Sequence, residues 1–67
     1  MFWSVEATEA DYLLRAAVSQ NKSPGDIQAA VNVLVRVGTH DVIMLQKLIL
    51  YGFSEADAQT YVDAAYP

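Results

Sequence analysis

Cysteine is absent from the 67 residues, and histidine occurs once, at position 40. These two gaps remove disulfide stapling, any thiolate metal cage and any multi-histidine site. Basic residues are equally sparse. Arg15, Lys22, Arg36 and Lys47 are spread one to a segment against eight carboxylates, for a net charge of −4. A surface that grips phosphates needs clustered Lys and Arg, so nucleic acid is excluded as the expected partner. Long apolar runs are missing too. The longest, "VIMLQKLIL", is interrupted by Gln46 and Lys47 and falls well short of the roughly 20 residues of a membrane span. "MFWSVEATEA" has neither a basic leader nor an apolar core of secretory type. The expectation is a soluble protein of a cytoplasm-like compartment with no membrane contact.

Apolar residues are abundant, at 54% of the chain. That exceeds an ordinary domain's share, although the usual count includes glycine. A chain this short encloses one core at most and is marginal without disulfides, metals or association. With the first two excluded, association with a second copy or another protein remains.

Punctuation divides the chain into four short helices. In "NKSPGD", Ser23 is placed to cap a helix, with Pro24 at its first position and Asp26 at its third. In "VGTHD", Gly38 is a left-handed terminator, Thr39 the next cap, and Asp41 a first-turn acid. "YGFSEAD" repeats the arrangement with Gly52, Ser54 and Asp57. The expected fold is all-α, a single domain over 1–67 with helices at 6–20, 24–37, 40–51 and 55–65. Connections of two or three residues force consecutive helices into tight corners. Glu9, Asp11, Asp26, Asp41, Glu55 and Asp57 are all expected in first turns, where the helix dipole favours negative charge. The strings "TEAD" at Thr8 and "SEAD" at Ser54 match in register, as two helix starts built by the same capping rules should.

Two helices carry more apolar surface than a stripe. On the second, Ile27, Ala30, Val31, Val33, Leu34, Val35 and Val37 cover roughly 200° of the wheel, against little more than about 100° for an ordinary surface helix. On the third, Val42, Ile43, Leu45, Leu48, Ile49 and Leu50 cover roughly 220°, with Gln46 inside that arc. His40, Met44, Lys47 and Tyr51 form its opposite, polar stripe. Helices one and four, with Tyr12, Leu13, Leu14, Ala17 and Val18 in the first and Ala58, Tyr61, Val62 and Ala65 in the fourth, are expected to sandwich these two. Any surplus at Val33, Val35, Ile43 or Leu50 would make a homodimer patch. Phe2 and Trp3 are either a lid over the core or an anchor for a partner.

Catalytic constellations do not form on this pattern. His40 precedes Asp41, but chain neighbours on a helix point to different sides, and the carboxylates are scattered over four helix ends. No phosphate loop, zinc helix motif or calcium loop occurs. No enzyme activity, cofactor or metal is expected.

"LQKLILYGFSEADAQTYVDAA" resembles the first two helices of ubiquitin-associated (UBA) domains, whose connecting loop commonly reads Met-Gly-Phe before a capped helix. Tyr51, Gly52 and Phe53 match that loop with Tyr in place of Met. "SPGDIQAAVNVLV" is similar to the start of the third UBA helix, but here it precedes the loop. The resemblance implies ubiquitin contact through Tyr51, Gly52 and Phe53.

The expected function is therefore a non-enzymatic interaction module, of the class of phage- or plasmid-type inhibitors or adaptors that bind a host protein. The alternatives are a UBA-like ubiquitin binder and an assembly subunit such as a virion component. The candidate contact residues are Tyr51, Met44, Phe53, Val33, Val35, Leu50, Phe2 and Trp3, with Tyr51 and Met44 expected to face the partner from the polar stripe.

Overall fold

The computed structural model describes the backbone of residues 5–66 and the side chains of residues 8–66. Four helices follow one another: α1 (Val5–Ser19), α2 (Pro24–Arg36), α3 (Asp41–Leu50) and α4 (Glu55–Ala65), with no strand among the described residues. The expected all-α architecture and four helix positions agree with the structure to within one residue at each end.

Local chemistry accounts for the ends. Ser23 and Ser54 sit in extended conformation as N-caps, and their hydroxyl oxygens accept the backbone N–H of Asp26 and Asp57 at 3.3 and 3.1 Å. Pro24 occupies the first turn of α2, where a missing N–H is harmless. Three helices end in the same way. At the close of α3, Gly52 N–H donates to the Ile49 carbonyl and Phe53 N–H to the Leu48 carbonyl, the paired bonds of a Schellman motif. Gly38 and Thr39 repeat this on Val35 and Leu34. Gly52 and Gly38 hold φ of 107° and 102°, a region closed to side chains other than by strain. The third motif ends α1 without glycine: Asn21, at φ 53°, and Lys22 donate to Val18 and Ala17. Asparagine tolerates the left-handed region better than other side chains do.

Two helix starts differ from expectation. His40, not Thr39, is the N-cap of α3, and it makes no side-chain capping bond; the Asp41 carboxylate accepts the Val42 N–H instead. Thr8, matched by sequence to Ser54, lies inside α1 because that helix already begins at Val5. The same four-letter string therefore caps one helix and continues another. For the same reason Glu9 and Asp11 fall beyond the first turn of α1.

Packing centres on α2. Helices α1, α3 and α4 all rest on it, α3 and α4 pack on each other, and among the described residues α1 does not run alongside α3 or α4. The core consists of Ala10 and Leu14 from α1, Ile27, Val31 and Leu34 from α2, Met44 and Leu48 from α3, and Ala58 and Val62 from α4. Ala30, Val33, Val35 and Val37 are half-buried around it, so the wide apolar arc of α2 is absorbed by three neighbours.

The arc of α3 is not. Met44 is fully buried, while Val42, Ile43, Ile49 and Leu50 are exposed. Relative to expectation, α3 is turned by roughly a third of a revolution: Met44, Lys47 and Tyr51 of its supposed polar stripe turn inward, and His40 alone of the four stays exposed. Met44 and Leu48 stand one turn apart on the same face as Tyr51, and Lys47 flanks them. Tyr51 and Lys47 are amphipathic, with apolar bodies and polar tips, and so can line an inward face when a partner awaits the tip. That partner is Asp11. Its carboxylate accepts the Tyr51 hydroxyl at 2.8 Å and pairs with the Lys47 ammonium at 3.2 Å. This clasp joins α1 to α3, two helices that do not otherwise lie side by side. At the other end, the Tyr66 hydroxyl donates to the Thr39 carbonyl and ties the end of α4 to the α2–α3 corner.

Candidate functional site

The outward side of α3 is the most conspicuous surface. Val42, Ile43, Ile49 and Leu50 are exposed by 60, 47, 43 and 80%, and Gln46, also exposed, lies between them. Offsets of one, four, seven and eight residues from Val42 place all five within about 120° of the wheel. No charged side chain interrupts this face: Asp41 stands at its N-terminal edge, and Lys47 is turned to Asp11 on the far side. Solitary exposed apolar residues are ordinary, but a contiguous strip on one helix marks an interaction surface.

A second feature is the corner where α3 meets α4. An open cleft of about 560 Å³ is bordered by Val18, Lys22, Ile27, Tyr51, Phe53 and Tyr61, with Gly52 at its rim. Phe53 is half-buried against the core, and its ring meets that of Tyr61 edge-on at 5.3 Å and 66°. The Gln28 amide donates to the Tyr61 carbonyl at 3.0 Å and to Asn32, fastening α4 to α2 below the cleft. The corner is thus built mainly from contacts within the chain. A third groove lies between α1 and α2, bordered by Leu13, Ala16, Ala29 and Val33.

The chain matches no family model, no curated protein and no solved structure.

The candidate contact residues are therefore distributed by geometry alone. Leu50 stands on the outer strip of α3. Val33 borders the α1–α2 groove, and Val35 is half-buried on α2, so neither joins the strip. Met44 is a correction: with its side chain sealed in the core, it reaches no partner without unfolding α3. Tyr51 is corrected in part. It is half-buried and its hydroxyl is engaged by Asp11, though one side of its ring borders the cleft. Phe53 shares that cleft. Phe2 and Trp3 lie outside the described residues.

Electrostatics at the clasp follow from its surroundings. Burial, the hydrogen bond to Asp11 and the Asp11 charge push the Tyr51 hydroxyl up to about 12, with Arg15 opposing them weakly. Burial, with the nearby charge of Asp41, also raises Tyr66. Each of these groups is held in its neutral, donating form. His40 is exposed, and no cluster of three or more potential metal ligands occurs among the described residues.

Sequence reasoning passed over Val42 and Ile49, which complete the strip, and Asp11, which orients it. The signal for the strip was present in the width of the apolar arc on α3. No signal distinguished Asp11 from the other helix-borne carboxylates, because its partners lie 36 and 40 residues along the chain.

Proposed function

We propose that this protein is a non-enzymatic interaction module, an adaptor or inhibitor that docks a protein through the outer face of α3. The observation that carries this reading is the exposure of Val42, Ile43, Ile49 and Leu50 on one uncharged strip, held outward because Met44, Leu48 and the Asp11 clasp commit the opposite face to the core. A chain with so little core has few apolar side chains to spare, so four left in water on one helix favour a surface that is covered when the protein acts. The occupant on this reading is an apolar helix or groove of matching length. The test is photocrosslinking from a reactive side chain placed at position 50, compared with one at position 59 on the exposed side of α4. Adducts from position 50 and not from 59 are the expected result; equal yields from both, or none from either, would refute docking on α3.

A second reading rests on the corner. Tyr51, Gly52 and Phe53, the residues that resemble the UBA loop, border an open cleft, and ubiquitin is the partner the resemblance implies. Titration with ubiquitin should then shift amide resonances at 51–53; unmoved resonances there dismiss it.

A further inference from the structure

From the arrangement of the α3 strip we infer that its occupant is a second copy of this chain, paired antiparallel, α3 against α3, about a two-fold axis through Gln46. This rests on the docking reading above and names the partner.

The strip is symmetric along its own length. Val42 and Leu50 lie four residues to either side of Gln46, and Ile43 and Ile49 lie three to either side. When two such helices run antiparallel with Gln46 beside its counterpart, the two-fold keeps each flank of the strip on its own side, so Val42 of one copy faces Ile49 of the other. Ile43 likewise faces Leu50, and each contact occurs twice. That is the requirement of an isologous interface, in which one patch must complement itself. Larger side chains meet smaller or equal ones throughout, and no charge is carried into the contact. Gln46 suits the axis, since a primary amide both donates and accepts, and two of them can pair reciprocally. A lone polar pair in an apolar helix seam sets register and orientation at some expense of strength. Antiparallel packing also opposes the two helix dipoles favourably.

Area sets the strength. The four apolar side chains expose on the order of 400 Å² per copy, within the range of functional patches on small proteins. Two copies together bury about 800 Å², less than the roughly 1,200 Å² at which specific complexes become stable. Pairing is accordingly reversible, with association developing between about 10 µM and 1 mM.

Sedimentation over that range should show the mass rising from 7.4 kDa toward twice that value. Gln46→Glu and Gln46→Lys, each alone, place like charges against each other on the axis and should weaken association at least about tenfold. An equimolar mixture of the two should restore it, because only the mixed pair brings opposite charges together. Circular dichroism should show that both variants keep their helices, as expected at an exposed position. A wild-type protein that stays monomeric to 1 mM overturns the inference. So does association that ignores both variants, or a mixture no stronger than its components. If position 50 crosslinks other proteins but never itself, self-pairing falls while docking on α3 stands; if it crosslinks nothing, both fall.

Discussion

The rotation of α3 about its axis can be tested by comparing two deletions six residues apart, Met44→Ala and Leu50→Ala. Met44 has no exposed surface and lies within the core cluster, whereas Leu50 is 80% exposed. Truncating a buried methionine removes its transfer free energy and leaves a cavity, for a cost of about 2–5 kcal/mol. A chain of this length has only about 3–10 kcal/mol of stability in all. Met44→Ala should therefore lower the urea midpoint by about 2 M or more, given a slope near 1 kcal/mol per M, and a measurable fraction should be unfolded without denaturant. Leu50→Ala gives up little burial and should remain within about 0.5 kcal/mol of wild type. Both are read by circular dichroism at low micromolar protein, where self-pairing does not contribute. Had the charged and aromatic stripe faced water, the order would reverse. Equal losses, or a larger loss for Leu50→Ala, would show that α3 presents its other face and would remove both the docking strip and the clasp.

Other consequences follow from the clasp and the helix ends. Tyr51→Phe deletes the hydroxyl bonded to Asp11 and should cost about 1–2 kcal/mol, a hydrogen bond to a charged acceptor discounted for its partial exposure. The sign of its pH dependence is set by the raised hydroxyl: the folded state holds the proton more tightly than the unfolded chain. That stabilisation is therefore complete below about pH 10 and lost as pH rises toward 12. Tyr66 contributes in the same direction. Alkaline unfolding should consequently begin at higher pH in wild type than in a variant whose clasp has been dismantled by Asp11→Asn; coincident curves would exclude the clasp. At α1, Asn21→Gly should be neutral or stabilising and Asn21→Ala destabilising by about 0.5–1 kcal/mol, since φ of 53° suits glycine and strains alanine. Gly52→Ala should cost about 1 kcal/mol or more through backbone strain alone, because a methyl group there meets nothing within 4 Å.

Parts of the site were legible and parts were not, for reasons visible in single residues. Gly52 and Ser54 announce the α3–α4 corner because the groups they satisfy lie three or four residues away. Asn21 does the same for α1 but less audibly, since asparagine serves in many turns and only sometimes in a left-handed one. The width of the apolar arc on α3 is readable as an excess, with Ile43 and Leu50 among its surplus, but not which part of the arc stays in water. Met44 shares a stripe with His40, Lys47 and Tyr51, and that polar company makes the stripe look water-facing. That inference fails whenever a lysine's apolar stem lies along the core edge and its ammonium finds a carboxylate.

By itself, the sequence determined the number and order of the helices, most of their ends, and the broad apolar arcs of α2 and α3. Those features rest on bonds between near neighbours and on periodicity within one segment. Tertiary structure alone decided which side of α3 turns inward. The choice depends on Asp11, carried by a different helix, reaching Tyr51 and Lys47 across the bundle, and on Met44 and Leu48 joining the core that the other three helices supply. A helix with apolar residues on almost every side has two faces that could be buried, and only its neighbours can choose between them.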